Sequence, residues 1–210
     1  MNSEIILSPE ELFFMGRLLQ AKYIDYAYVA AMHDIEQKFA LFESEVKAHL
    51  VTKGILIEDF GGNIEVNAEV ITVLKPVFFG ETETAVEICN IGEKNYVESY
   101  RYHFLDGRIT GVVGKDGKFI IRQINQSEIN DKINSLIPKA YEVECKVVAG
   151  IDKDKITRLM AVKNIVVGGA AEVKNYIEAD GVIYHENKGQ IECVSREQFI
   201  AETFEVVKGV

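Results

Sequence analysis

The pattern that most limits how this chain can fold is an echo between two of its parts. The first part runs Phe104-Leu105-Asp106-Gly107-Arg108-Ile109, then a second glycine turn at Gly117, an apolar segment at 119–124 and a helix start at Ser127. The second runs Ala179-Asp180-Gly181-Val182-Ile183, then a turn at Gly189, an apolar segment at 191–194 and a helix start at Ser195. An Asp-Gly pair between apolar runs signals a hairpin, because both central residues of the tight turn need positive φ. Each part therefore reads as strand, turn, strand, turn, strand, helix. A sheet this small cannot bury its apolar face alone, so two copies are expected to support one another. The expected fold class is α+β: two pseudo-twofold-related subdomains, each an antiparallel sheet packed with helices. An N-terminal helical segment with a small winged-hairpin-like element precedes them.

The rest of the chain fills in around that echo. Ser8-Pro9-Glu10-Glu11 opens a helix: Ser8 and Glu11 form a capping box, and Pro9 suits the first helical position, where an N–H is not needed. Apolar residues at Ile35, Phe39, Phe42, Val46 and Leu50 predict a long helix over about 33–53, stopped at Lys53-Gly54. Two short strands, 55–58 and 63–66, flank Gly61-Gly62, and a brief helix over 67–74 is expected to close at Pro76. From Glu81 the apolar period changes to two, giving strands over 82–89, 96–105, 108–113 and 118–124. Ser127 is expected to cap a helix through Ile137. A strand over 142–148, a helix over 154–162 and strands over 165–167, 171–178, 181–185 and 190–194 follow. Ser195 opens the last helix, carried by Phe199, Phe204 and Val207. The division expected is 1–138 and 139–210, packed as one compact unit.

Charge and cysteine usage narrow the function classes. Against 23 basic residues stand 33 acidic ones, a formal charge of −10, which repels phosphate backbones and anionic lipid. The long helix and the hairpin after it resemble a winged helix in layout, yet that helix carries Asp34, Glu36, Glu43 and Glu45 against Lys38, Lys47 and Lys53. Nucleic acid is therefore not an expected partner, and neither is an inserted membrane segment, since no apolar run approaches the roughly 20 residues a span needs. The N-terminal residues lack an export signal, which points to the cytoplasm. Cys89, Cys145 and Cys193 are too dispersed for a disulfide framework or a zinc site and read as reduced, buried thiols. His33, His49, His103 and His185 have no metal-ligand spacing, and no nucleophile elbow or phosphate-cradling glycine loop is present. No catalytic, cofactor-binding or metal residue is assigned.

One strand carries a surface of interest. Along 96–104, Tyr96, Glu98, Tyr100, Tyr102 and Phe104 point one way and Val97, Ser99, Arg101 and His103 the other. The aromatic side suits packing against helices. The polar side is either simply wet or, with Arg122 from a nearby strand, a docking surface in which Ser99, Arg101, His103 and Arg122 orient a protein partner by directional hydrogen bonds.

Three segments carry a family resemblance: Leu7-Ser8-Pro9-Glu10-Glu11-Leu12, Leu50-Val51-Thr52-Lys53-Gly54-Ile55-Leu56 before the hairpin and short helix, and Asn134-Ser135-Leu136-Ile137-Pro138 at the end of the mid-chain helix. Together with the duplicated halves, these resemble the EspG family of cytosolic chaperones of mycobacterial type VII secretion systems. The resemblance implies a non-enzymatic cytoplasmic chaperone or adaptor, without cofactor, that binds a helical secreted protein and covers its exposed apolar end. The alternative is a small-molecule enzyme with a pocket between subdomains that uses His103 or His185 as acid or base.

Overall fold

The computed structural model describes residues 4–29, 35–92, 96–138, 141, 147–169, 171–187 and 189–208. In chain order the elements are β1 (Ile5–Leu7), α1 (Pro9–Leu18), α2 (Tyr26–Val29), α3 (Ile35–Thr52), β2 (Leu56–Glu58), β3 (Ile64–Val66), α4 (Ala68–Phe79), β4 (Thr82–Asn90), β5 (Tyr96–Leu105), β6 (Arg108–Lys115), β7 (Lys118–Ile124), α5 (Gln126–Ser135), β8 (Val147–Val148), β9 (Ile156–Val166), β10 (Ala171–Ala179), β11 (Val182–Asn187), β12 (Gln190–Cys193) and α6 (Arg196–Lys208). The fold is α+β. One sheet of ten strands has the order β1-β7-β6-β5-β4-β9-β10-β11-β12-β8, and β2 with β3 forms a separate two-stranded sheet. The chain divides into two compact units, Met1–Glu81 with His103–Gln123 and Thr82–Tyr102 with Ile124–Val210.

The turn chemistry read from the sequence is present in both copies of the repeat. Asp106-Gly107 and Asp180-Gly181 have φ of 50° and 73°, and of 51° and 75°, the positive pair that a type I′ hairpin demands. The repeat is one strand longer than expected, because residues 156–166 form β9 where a helix over 154–162 was anticipated. Only a 3-10 turn at Lys153–Lys155 interrupts that region before the strand. Leu159, Met160 and Ala161 favour helix locally. Met160 and Val162 nevertheless sit on one side of β9, buried between β4 and β10, and pairing along both edges of the strand outweighs local preference. The repeated unit is thus a four-strand meander followed by a helix: β4 to β7 with α5, and β9 to β12 with α6. In the strand order the two meanders run outward from the adjacent pair β4 and β9.

In the first unit, α1 begins as the sequence indicates. The Glu11 amide donates to Ser8 Oγ at 3.2 Å and the Ser8 amide donates to Glu11 Oε2 at 2.8 Å. Leu12 and Met15 of α1, Leu50 of α3, Leu74 and Phe78 of α4 and Ile121 of β7 belong to one buried cluster. The α3 stripe of Phe39, Phe42, Val46 and Leu50 packs into or against it, and Gly54 ends the segment at φ 68°. The helix expected to close at Pro76 instead runs on through it to Phe79. An interior proline costs about 3 kcal/mol. Val73, Leu74, Val77 and Phe78 are all buried, and their burial, at roughly 1.5–3 kcal/mol per large side chain, exceeds that cost.

In the second unit, α5 starts earlier than expected. Asn125, not Ser127, is the cap: it accepts from the Glu128 amide at 3.1 Å, while the Asn125 amide donates to Glu128 Oε1 at 3.2 Å. Ser127 Oγ donates to Asn125 Oδ1 and supports the cap from inside the first turn. The helix ends at Ser135, before Ile137. Most of the strand expected at 142–148 lies outside the described residues, which retain β8 at its end. Ser195 caps α6 by accepting from the Gln198 amide at 3.1 Å, as the sequence suggests.

Candidate functional site

Antiparallel register fixes which side chains share each face of the second unit's sheet. One transverse row is Ile88, Met160, Tyr176, His185 and Glu192 on β4, β9, β10, β11 and β12. α6 lies on this face: Phe199 meets the Tyr176 ring edge-on at 4.7 Å, and the Tyr176 hydroxyl donates to Glu202 at 3.0 Å. Burial, and then the charge of Glu202, push the Tyr176 pKa upward, so the hydroxyl stays protonated and serves as a donor. His185 Nδ1 sits 3.2 Å from the same carboxylate, and Glu192 lies 3.8 Å from Nε2. α5 lies on this side too, with Lys132 Nζ 3.7 Å from the centre of the Tyr100 ring.

The opposite face carries the next row: Cys89, Leu159, Ile177, Tyr184 and Cys193, again one residue from each of five adjacent strands. This row carries no charged side chain, its one polar atom besides the thiols being the Tyr184 hydroxyl, and neither α5 nor α6 makes its described contacts there. Leu159 is 39% exposed and Val173, two residues from Asn175 on the same side of β10, is 42% exposed. Next to the apolar row lies a chain of charges. Arg101 of β5 is paired with Glu83 and reaches Glu87 at 3.4 Å, and Lys163 of β9 donates to the other oxygen of Glu87 at 2.6 Å. These ions hold β5, β4 and β9 together across the face and compensate one another's charge. Val97, on the same side of β5 as Arg101, is 69% exposed.

The four residues singled out from the sequence separate under this geometry. Ser99 and Arg101 belong to the second unit, His103 and Arg122 to the first. Arg101 is only 8% exposed and is held by Glu83 and Glu87, and His103 is 3% exposed with Nε2 2.5 Å from the Tyr28 hydroxyl. The wet Arg101/His103 face anticipated from alternation is therefore not what the fold presents, because carboxylates on β4 and a tyrosine on α2 occupy those side chains. Ser99 and Arg122 are half-buried. Alternation along β5 puts Arg101 and His103 on one side, but the acids that meet Arg101 lie on β4, 14 and 18 residues away in the sequence. The apolar row was missed for the same reason: Leu159 and Ile177 become neighbours only once β9 is known to be a strand.

The two histidines considered as acid or base lie in different units, each engaged by its own partner. Among the described residues no group of three or more His, Cys, Asp or Glu side chains is arranged to hold a metal ion, and no helix is long and apolar enough to cross a membrane. Cys89 is half-buried and Cys193 buried, and Cys145 lies outside the described residues.

No family model and no curated protein matches the sequence. Comparison with solved structures gives a different result. The fold matches that of EspG5, the type VII secretion system chaperone of Mycobacterium tuberculosis, solved in complex with a PE25–PPE41 dimer. The match has a TM-score of 0.66 at 9% sequence identity and covers 99% of this chain and 97% of the other. The chain has an EspG-like fold, as the three sequence segments suggested.

Proposed function

We propose that this protein is a non-enzymatic cytoplasmic chaperone or adaptor that binds a helical protein substrate of a type VII-like secretion system. The observation that carries the proposal is the two-way coverage of the fold match, which spans 99% of this chain and 97% of a secretion chaperone. A sheet face with its own helices on one side and an apolar row on the other suits that role physically. Covering Leu159, Ile177 and Val97 with the apolar end of a helical client would remove both surfaces from water, at about 25 cal/mol for each Å² before the entropic cost of association. The charges beside the row are already paired, so they set orientation at the border of an interface and contribute little to its affinity. Arg101 and His103 are assigned to holding β5, with Ser99 at the border of the contact surface.

Size-exclusion chromatography of the purified chain with small paired-helix secretion substrates from its own source tests this reading. Co-elution is expected for the wild type and loss of co-elution for Leu159→Asp, which places a charge in the apolar row without touching the helix-bearing face. Failure of the wild type to retain any such substrate, or undiminished binding by the Leu159→Asp variant, overturns it.

A further inference from the structure

A second recognition feature lies in the first unit, along the outer edge of β1. This strand ends the strand order, so among the described residues only β7 pairs with it. Ile5 and Leu7 are buried and anchor it, while Ile6 points outward. The carbonyl of Ile6 is turned away from β7, since it accepts from Lys53 Nζ at 3.1 Å. In a strand the N–H of a residue points to the same side as its C=O, so the Ile6 amide also faces the outer edge. An edge of this kind is a template for another extended chain.

Beside that edge is a cavity of about 440 Å³. Ile55 and Val70 give it an apolar wall, and Glu4 and Glu69 give it exposed carboxylates. Its one lysine is committed: Lys53 Nζ donates to both oxygens of Glu11 at 2.6 and 2.7 Å as well as to Ile6. The Glu11 carboxylate neutralises the Lys53 charge and stays bonded to it whether or not Ile6 is released, so the cavity offers no uncompensated cation to an incoming anion. The cavity thus offers backbone hydrogen bonds, an apolar wall and net negative charge.

We propose that the outer edge of β1 accepts an extended, basic peptide segment of a partner by strand addition, with apolar side chains against Ile55 and Val70 and lysine or arginine side chains meeting Glu4 and Glu69. Addition replaces the contact between Lys53 and Ile6 and leaves the Lys53–Glu11 pair in place. The site belongs to the first unit and is independent of the sheet face assigned to the helical client.

Titration of the full-length ¹⁵N-labelled chain with the capped pentapeptides KVKVK and EVEVE tests the proposal. The basic peptide is expected to give saturable shifts of the Glu4, Ile5, Ile6 and Leu7 amides, and the acidic one to bind at least roughly tenfold more weakly. Ile6→Pro removes the outward N–H, a change an edge strand tolerates, and is expected to abolish binding. Glu69→Lys, on an exposed position in the first turn of α4 where the opposing helix dipole makes the exchange only mildly destabilising, is expected to weaken the basic peptide and strengthen the acidic one. Absence of saturable shifts at these amides in the wild type, equal affinity for the two peptides, or Glu69→Lys without effect on either overturns the assignment.

Discussion

The two copies of the repeat share their turns and fasten their helices differently. Both enter their second hairpin strand through an Asp-Gly pair with nearly the same φ values. α5 then starts from a complete capping box, with Asn125 and Glu128 satisfying each other's amides. α6 has half of one: Ser195 accepts from the Gln198 amide, while the Gln198 side chain donates to Glu202 at 2.8 Å, within the helix. Docking differs as well. α6 buries Phe199 against Tyr176 and supplies Glu202 to Tyr176 and His185, whereas α5 buries the aliphatic Ile129 and Ile133 and adds the contact of Lys132 with Tyr100 and Glu98. Features set by local backbone conformation recur in both copies, and features set by tertiary packing have diverged.

The largest expected effect falls on the docking of α6. Phe199 is fully buried, and Phe199→Ala removes a large side chain from a site with little room to collapse. A loss of about 3–5 kcal/mol is expected. Chemical denaturation measures it, and amide exchange should show α6 losing protection before α5. Equal loss of protection in the two helices would mean that they are fastened together and would erase the contrast drawn above.

Next comes the ion pair that binds β5 to β4. Arg101 and Glu83 are both buried, so Arg101→Leu leaves a carboxylate without its main partner and is expected to cost about 3–5 kcal/mol. The double variant Arg101→Leu with Glu83→Leu is expected to recover most of the loss. If the double variant is no better than the single one, the arginine stabilises the strand through packing of its stem rather than through charge.

Helix caps give a smaller and more discriminating comparison. Asn125→Ala is expected to cost about 1 kcal/mol or somewhat more, because Asn125 Oδ1 accepts from both the Glu128 amide and Ser127 Oγ, and Ser195→Ala to cost less. Thermal melts of the two variants give the order directly. The reverse order would show that the Ser195 cap is coupled to the packing of Phe199 four residues on.

These contrasts also explain what could be read in the chain before its structure. The turns at Asp106-Gly107 and Asp180-Gly181, the Ser8 capping box and the stop at Gly54 were legible because each depends on a few adjacent residues and one backbone preference. β9 was not legible, since Leu159, Met160 and Ala161 favour helix on their own and become a strand through pairing with β4 and β10. Pro76 misled in the opposite direction: a local rule ended a helix that burial of Val77 and Phe78 carries onward. The candidate surface suffered most, because a transverse row on a sheet takes one residue from each strand and leaves no contiguous motif. Alternation along β5 identified Arg101 and His103 as sharing a side, but the partners that bury them, Glu83 and Tyr28, come from other elements.

The smallest expected effect concerns the polar attachment of α5. The Glu98 carboxyl is held below the usual glutamate range, first by the Tyr100 hydroxyl that donates to it and, against the opposing effect of burial, by the charge of Lys132. The Lys132 pKa is itself lowered, because burial of its ammonium outweighs the attraction of Glu98. The pair is therefore a contact of modest worth at a partly wet position. A carboxyl whose folded-state pKa is depressed stabilises the fold above its unfolded value, about 4.3 for glutamate, and loses that contribution as pH falls through the folded value. The stability difference between wild type and Glu98→Gln should accordingly be constant near neutrality and shrink as the solution is acidified below that range. Denaturant midpoints measured on both proteins along a descending pH series resolve it. A difference independent of pH would assign the loss in Glu98→Gln to the altered hydrogen bonds of Asn90 and Tyr100, and the charge of Lys132 would then have no part in holding α5 to the sheet.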